Sequence, residues 1–177
     1  MKNKIRENLI ERGVSSGAQL ILPEIKDKRI VAAKKELIKI GFRIVDVDDS
    51  YINLYNLKTL VSNKKFTKNW TEQQIDNFLK NPINLGMSMV ASGLGDGLIA
   101  GAVTSTSDVI RAAIRVVGIK PSSKWVSSIF FMLSPDIKRY FTYSDCGVIP
   151  EPTSEQLAFI AKDASDFHGL LTQEVPK

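Results

Sequence analysis

Apolar residues along the chain fall into two rhythms, one of helical spacing and one of short compact runs, and the two alternate. Ile5 and Leu9, with Arg12, lie near one side of a helix over residues 3–12; Gly13 ends it, and Ser15, Ser16 and Gly17 form a loop. Ala18–Leu22 is a short apolar run stopped by Pro23, the pattern of a strand. Asp27 can cap a helix whose Ile30, Ala33, Leu37 and Ile40 share one face, and Gly41 supplies its stop. Phe42–Val47 reads as a second strand. Strand, helix and strand in succession predict an α/β protein with a parallel sheet.

The same reading continues through the chain. Asp48, Asp49 and Ser50 make a turn or cap, and Leu54, Leu57 and Val61 predict one helix over Tyr51–Val61. Residues 62–69 are polar and basic, which predicts a mobile loop. Thr71 and Gln74 fit a capping box for a helix over Glu72–Leu79. Asn81 and Pro82 interrupt it. Ile83–Ser92 is the next helix, and its Gly86, Ser88, Ala91 and Ser92 suit close packing on a neighbour. Pro121–Lys124 is a polar turn. Val126–Leu133 and Arg139–Ser144 read as an antiparallel hairpin about Ser134, Pro135 and Asp136. Thr153 with Gln156 is a second capping box, and the helix it opens runs to about Phe167 with Leu157, Ile160, Ala161 and Ala164 on one face. No internal repeat or low-complexity segment breaks the pattern.

Candidate chemistry gathers in Gly93–Gly118. Leu98–Val103 is short and apolar and suits a buried parallel strand. Thr104, Ser105, Thr106 and Ser107 follow at its C-terminal end, where ligands bind in open α/β sheets. Ser107 or Asp108 can cap the next helix, whose free N–H groups and dipole favour an anion. Arg111 lies in that helix's first turn, and Arg115 one turn further on the same side. Two readings stay open on these residues alone: an anion site, or a plain capped helix with two surface arginines. Asp96, between Gly95 and Gly97, is a turn former or a functional acid. The GLGDG run lacks the Gly-Lys-Ser/Thr ending of a P-loop and is not a dinucleotide fingerprint. Cys146 reads as a buried structural thiol more readily than as a nucleophile, and nothing marks His168 as a base.

Composition narrows the picture. The chain has 177 residues, 44% hydrophobic and 24% charged, as in ordinary globular proteins. Its net charge of +5 is spread over many lysines and arginines, which suits a solvated surface or the attraction of a phosphate or nucleotide. No aromatic residues interleave with a basic run, so nucleic acid is not expected as a partner. No apolar run has the length of a membrane span. One cysteine excludes an internal disulfide, and the charged start lacks the apolar centre of a signal peptide, so the expected compartment is the cytoplasm. One cysteine and one histidine offer no metal-ligand spacing.

The run NLGMSMVASGLGDGLIAGAVTSTSDVIRAAIRVVG resembles the phosphate acetyltransferase and phosphate butyryltransferase family. So do LPEIKDKRIVAA, VSSIFFMLSPD and YSDCGVIPEPTSEQLAFIAKDA, in family order. PTSEQLAFIA favours the acetyl type. The resemblance implies a three-layer α/β/α fold with a mostly parallel, doubly wound sheet, followed by a hairpin and helix that begin a second domain. The expected division is 1–125 and 126–177. It implies reversible acyl transfer between coenzyme A and inorganic phosphate, with CoA or acetyl-CoA as substrate and no tightly bound cofactor. Ser105, Thr106 and Ser107 match the family's hydroxyl loop at the phosphate site. Arg111 matches its cleft arginine, which serves phosphate or the CoA phosphates.

Two departures qualify that expectation. The segment over Asp46–Tyr51 is short where the family has a further strand–helix–strand portion, and Lys58 stands where the family has a second CoA arginine. A lysine keeps the charge but not the planar fork. The family's catalytic serine, arginine and aspartate are expected beyond Lys177, so no catalytic base is assigned within these residues. The missing half would come from a longer chain or a companion chain, and a homodimer is the other assembly expected. A non-catalytic module that binds phosphate or acyl phosphate is the alternative function, and a fragment that folds poorly alone is a third reading.

Overall fold

The structure is a computed structural model, and it describes residues 4–121, 123–134 and 139–176. By its internal contacts the chain divides into two compact units, Glu11–Gly118 and Met1–Ile10 with Ile119–Lys177. Helix α1 runs over Lys4–Ser15. It continues through Gly13, because a glycine inside a helix costs only about 1 kcal/mol; Gly17, with φ of 67°, makes the turn instead.

The first unit holds a three-stranded sheet in the order β2-β1-β3, parallel throughout. Its strands are β1 (Gln19–Ile21), β2 (Arg43–Val45) and β3 (Gly97–Leu98). Ile21 pairs with Val45 on one side and Leu98 on the other, and is fully buried. Helix α2 (Lys28–Ile40) connects β1 to β2. Its ends are those the sequence predicts: Asp27 accepts from the N–H of Arg29, and Gly41, at φ of 113°, donates to the carbonyls of Leu37 and Ile38. Its apolar face is only partly covered, with Ile30 and Leu37 half-buried and Ile40 exposed.

The expected helix over Tyr51–Val61 is two helices, α3 (Ser50–Leu54) and α4 (Leu57–Ser62). Asn56 stands between them in the left-handed conformation, φ 51°, and that break turns Leu57 and Val61 into the core while Leu54 stays exposed. The basic stretch after α4 is anchored. Thr67 is buried, and its hydroxyl donates to the carbonyl of Val61 at 2.7 Å. Beside it Phe66 packs against Trp70 and Phe78 with ring centroids about 5.5 Å apart. Helix α5 (Glu72–Leu79) opens on the predicted capping box of Thr71 and Gln74.

Helix α6 (Pro82–Ala91) lies against the sheet. A Cβ at Gly86 would meet Leu98 Cδ1 at 2.7 Å and Ile21 Cγ2 at 3.3 Å, so the small residue sets the approach of helix to strand. The core of this unit joins Ile21, Leu57, Val61, Ile75, Leu79, Leu85 and Met89. An adjoining cluster of Ile83, Met87, Ala112 and Val116 seats the helix that follows the central loop.

The second unit contains strands β4 (Ile129–Leu133) and β5 (Tyr140–Ser144), paired antiparallel with Ile129 opposite Ser144. This is the expected hairpin; the expected turn residues Pro135 and Asp136 lie outside the described residues. Helix α8 (Ser154–Thr172) starts on the Thr153–Gln156 capping box and extends past the predicted Phe167. His168 on α8 reaches the hydroxyl of Thr142 on β5 through Nδ1 at 2.8 Å. Among the described residues, no helix is long and apolar enough to cross a membrane.

Candidate functional site

Leu98–Val103 was expected as one buried strand, and the structure shortens it to Gly97–Leu98. Ile99 is 52% exposed and Val103 71% exposed. The reason lies 77 to 80 positions away in the chain. The Glu24 carboxylate, just beyond the C-terminal end of β1, takes the backbone N–H groups that a longer strand would have offered to a neighbour. Oε2 accepts from Gly101 at 3.0 Å and Ala102 at 2.8 Å; Oε1 accepts from Val103 at 3.0 Å and Thr104 at 2.7 Å. Gly101, at φ of 111°, makes the bend that turns these donors toward one carboxylate, a conformation side chains rarely tolerate.

Glu24 accordingly has a low pKa. Partial burial pushes it up, but the backbone hydrogen bonds from Thr104, Val103 and Ala102 outweigh burial and bring it to about 2. The other face of the loop is held from α2. Arg29 donates through Nη2 to the carbonyl of Ala102 at 2.7 Å, and pairs with Asp27 through Nε and Nη2 at 3.0 and 2.8 Å. That pairing lowers the Asp27 pKa to about 2, chiefly through the side-chain hydrogen bond from Arg29. Asp96 is structural too: its carboxylate accepts from the N–H of Gln19 at 2.7 Å, at the start of β1.

The hydroxyl-rich stretch opens helix α7 (Thr106–Ala112). Its cap is Ser105, not Ser107 or Asp108: the Ser105 Oγ accepts from the N–H of Asp108 at 3.2 Å. With Ser105 at the cap, Arg111 falls in the last turn of this short helix rather than the first. Ser105 Oγ also meets Ser107 Oγ at 3.0 Å and donates to Asp108 at 2.7 Å, and Asp108 accepts from Arg111 Nη1 at 2.7 Å. One hydrogen-bonded chain thus joins Ser105, Ser107, Asp108 and Arg111. Thr106, the first residue of α7, is exposed beside them. The ion pair is open to solvent, with side-chain exposures of 54% for Arg111 and 57% for Asp108. An exposed pair of this kind is weak, so the guanidinium is available to an anion that competes with Asp108.

Arg115 has a different environment. It sits in a π-helical turn, Ala113–Val117, and its guanidinium lies over the Phe66 ring at 5.8 Å. Lys58 on α4 is held by acids of α5, 2.7 Å from Asp76 and 3.9 Å from Glu72. The hydrogen bond to Asp76 raises its pKa, so it stays cationic. Among the described residues, no ion pair or hydrogen bond joins Lys58 to the Ser105–Arg111 group. Cys146 is partly exposed and donates weakly to the carbonyl of Tyr143 at 3.4 Å.

Glu24 is the residue that the sequence did not single out. Its signal was its place just after a parallel strand, which becomes readable once β1 and β3 are known to be neighbours.

Comparison with known proteins identifies the family. Residues 8–177 match the model of a family described as Phosphate acetyl/butaryl transferase. A phosphate acetyltransferase from Acetivibrio thermocellus is 31% identical over an alignment covering 97% of this chain and 60% of that protein. The one from Escherichia coli is 35% identical over 88% of this chain and 21% of its own length. The chain therefore spans less than two thirds of each of these relatives. The first alignment runs to 199 positions, more than the chain has residues, so that relative carries segments this chain lacks. Among solved structures, the EutD phosphotransacetylase from Staphylococcus aureus superposes with a TM-score of 0.79 at 26% identity, over 94% of this chain and 57% of that one. A phosphotransacetylase from Streptococcus pyogenes gives a TM-score of 0.78 at 22% identity, over 91% and 56%. The parallel sheet and the match over nearly its whole length agree: the chain belongs to the phosphate acetyl/butaryl transferase family.

Proposed function

We propose that the chain forms part of a phosphate acetyltransferase, which moves an acetyl group reversibly between coenzyme A and inorganic phosphate. The observation that carries this reading is family membership combined with an exposed cluster of hydroxyls and one arginine in the segment that follows β3. In it Ser105, Thr106, Ser107 and Arg111 bind the phosphate of acetyl phosphate. Arg111, with Lys58, meets the phosphates of CoA. CoA is a substrate, and no tightly bound cofactor is assigned.

The chemistry needs little else from these side chains. A base takes the proton of the CoA thiol, and the thiolate sulfur bonds to the acetyl carbon. The bond from that carbon to the phosphate oxygen then breaks, and phosphate leaves with the electron pair. Arg111 balances the charge on the leaving phosphate, and the hydroxyls of Ser105 and Ser107 turn to donate to its oxygens. None of the named residues is the base. That role falls to the part of the relatives that this chain does not span, whether on a longer chain or on a companion chain. The cytoplasm is the compartment that suits these substrates and the single cysteine.

Titration with inorganic phosphate and acetyl phosphate, followed by calorimetry, tests the site: saturable binding is expected, and its absence overturns the assignment. Thioester formation from acetyl phosphate and CoA, measured with and without the region the relatives carry in addition, tests the reaction. A second reading follows from the partial span: the chain binds phosphate without turnover. Binding that persists while the supplemented protein forms no thioester selects it.

A further inference from the structure

We propose that Glu24 is a positioning residue for the phosphate site, a tethered carboxylate that fixes the backbone of Gly101–Thr104 so that Ser105, Thr106 and Ser107 are presented to substrate; this rests on the functional reading given above. Four N–H groups converge on its two oxygens at 2.7 to 3.0 Å. Four converging backbone donors form an anion-binding concavity. Here the anion is built in, so the concavity is closed to phosphate. Substrate contacts are left to the side chains that follow in the chain. Arg29 restrains the same segment from its carbonyl side, through Ala102. Loop 101–104 is therefore gripped on both its donors and an acceptor by one short connection, Glu24 to Arg29.

The arrangement requires a carboxylate. Two oxygens each accept two hydrogen bonds, and only an ionised carboxylate offers two acceptor atoms in that shape. A glutamine has the same size but turns an NH₂ group toward two of the four donors. Next to an anion site a free carboxylate would repel phosphate; with its charge met by four N–H groups, it does so far less. The position also suits the role. Thr104, the last donor, directly precedes the cap residue Ser105, so displacing the loop displaces the cap and the hydroxyls bonded to it.

The test compares wild type with Glu24→Gln and Glu24→Ala, measuring inorganic phosphate affinity by calorimetry and amide exchange of Gly101–Thr104 by NMR. Glu24→Gln is expected to speed exchange at about two of these amides and to weaken phosphate binding about tenfold, the scale of losing charge-assisted hydrogen bonds. Sodium formate added to Glu24→Ala is expected to slow exchange again by refilling the vacated donors and to recover phosphate affinity with it, a recovery that a merely structural role would not produce. Wild-type exchange or wild-type phosphate affinity in Glu24→Gln overturns the proposal, as does an Ala variant whose amides ignore formate. If wild type itself binds no phosphate, the functional reading falls and takes the presentation role with it; the exchange pattern then judges the tethered carboxylate separately.

Discussion

Residues 101–104 and residues 105–111 are adjacent in the chain and opposite in design. In the first segment the backbone carries the interactions, and every donor named is met by a carboxylate from another element. In the second the side chains carry them, the partners are local, and the groups stay open to solvent. One segment is held and the other is offered. A site that must release its ligand needs both: a backbone that does not relax, and polar groups whose internal partners are weak enough to give way.

Four measurements can break or sharpen that contrast. The largest effect is expected at the held segment. Glu24→Ala leaves four donors without their anion and should cost about 3 kcal/mol of stability in urea unfolding, part of the gross loss being recovered through water. A loss under about 0.5 kcal/mol would mean the segment is not held by Glu24. Next, Arg111→Ala should weaken phosphate binding by about 2 kcal/mol while changing stability by less than about 0.5 kcal/mol, because its ion pair is exposed. Equal loss in both quantities would place Arg111 with the scaffold.

The third measurement uses pH. The Glu24 pKa falls from 4.5 to about 2 on folding, so the unfolded chain binds its proton first. The stabilisation is complete above pH 4.5 and is lost as pH falls toward about 2. After allowance for solvent screening it amounts to about 1–2 kcal/mol. Urea midpoints at pH 5 and pH 3 should fall further apart in wild type than in Glu24→Gln; equal differences refute the assignment. The smallest effect is expected at Asp108→Asn, which frees Arg111 from its competitor and should tighten phosphate binding by about 0.5 kcal/mol. Weaker binding would show that Asp108 orients the guanidinium rather than competing for ligand.

How far the sequence could be read follows from the same contrast. Features settled by near neighbours were legible: the Asp27 cap, the Gly41 stop, and the capping boxes at Thr71 and Thr153 each depend on residues within four positions. The small residues of α6 also announced close packing, as Gly86 bears out. Leu98–Val103 was misread because its apolar residues fit a strand, while the acceptor that takes its N–H groups is nearly 80 positions distant. The cap was misplaced because Ser105, Ser107 and Asp108 are equivalent to local rules. The mobile loop expected after Ser62 instead carries Thr67, whose buried hydroxyl answers carbonyls at Val61 and Lys64. Within the candidate site, the hydroxyls and Arg111 were visible from residue type alone. The carboxylate beneath them required knowledge of which strands are neighbours.

The π-helical turn after α7 has a consequence for redundancy. Arg111 and Arg115 look like duplicates in the sequence, four apart and one helical turn from each other. Ala113–Val117 winds more widely than an α-helix, and Arg115 ends with its guanidinium against Phe66, within an aromatic group that includes Trp70 and Phe78. The two arginines are thereby set in separate surroundings, Arg111 against Asp108 and Arg115 over Phe66. A mutation that removes Arg111 meets no understudy one turn away, and the apparent duplication gives the molecule no insurance.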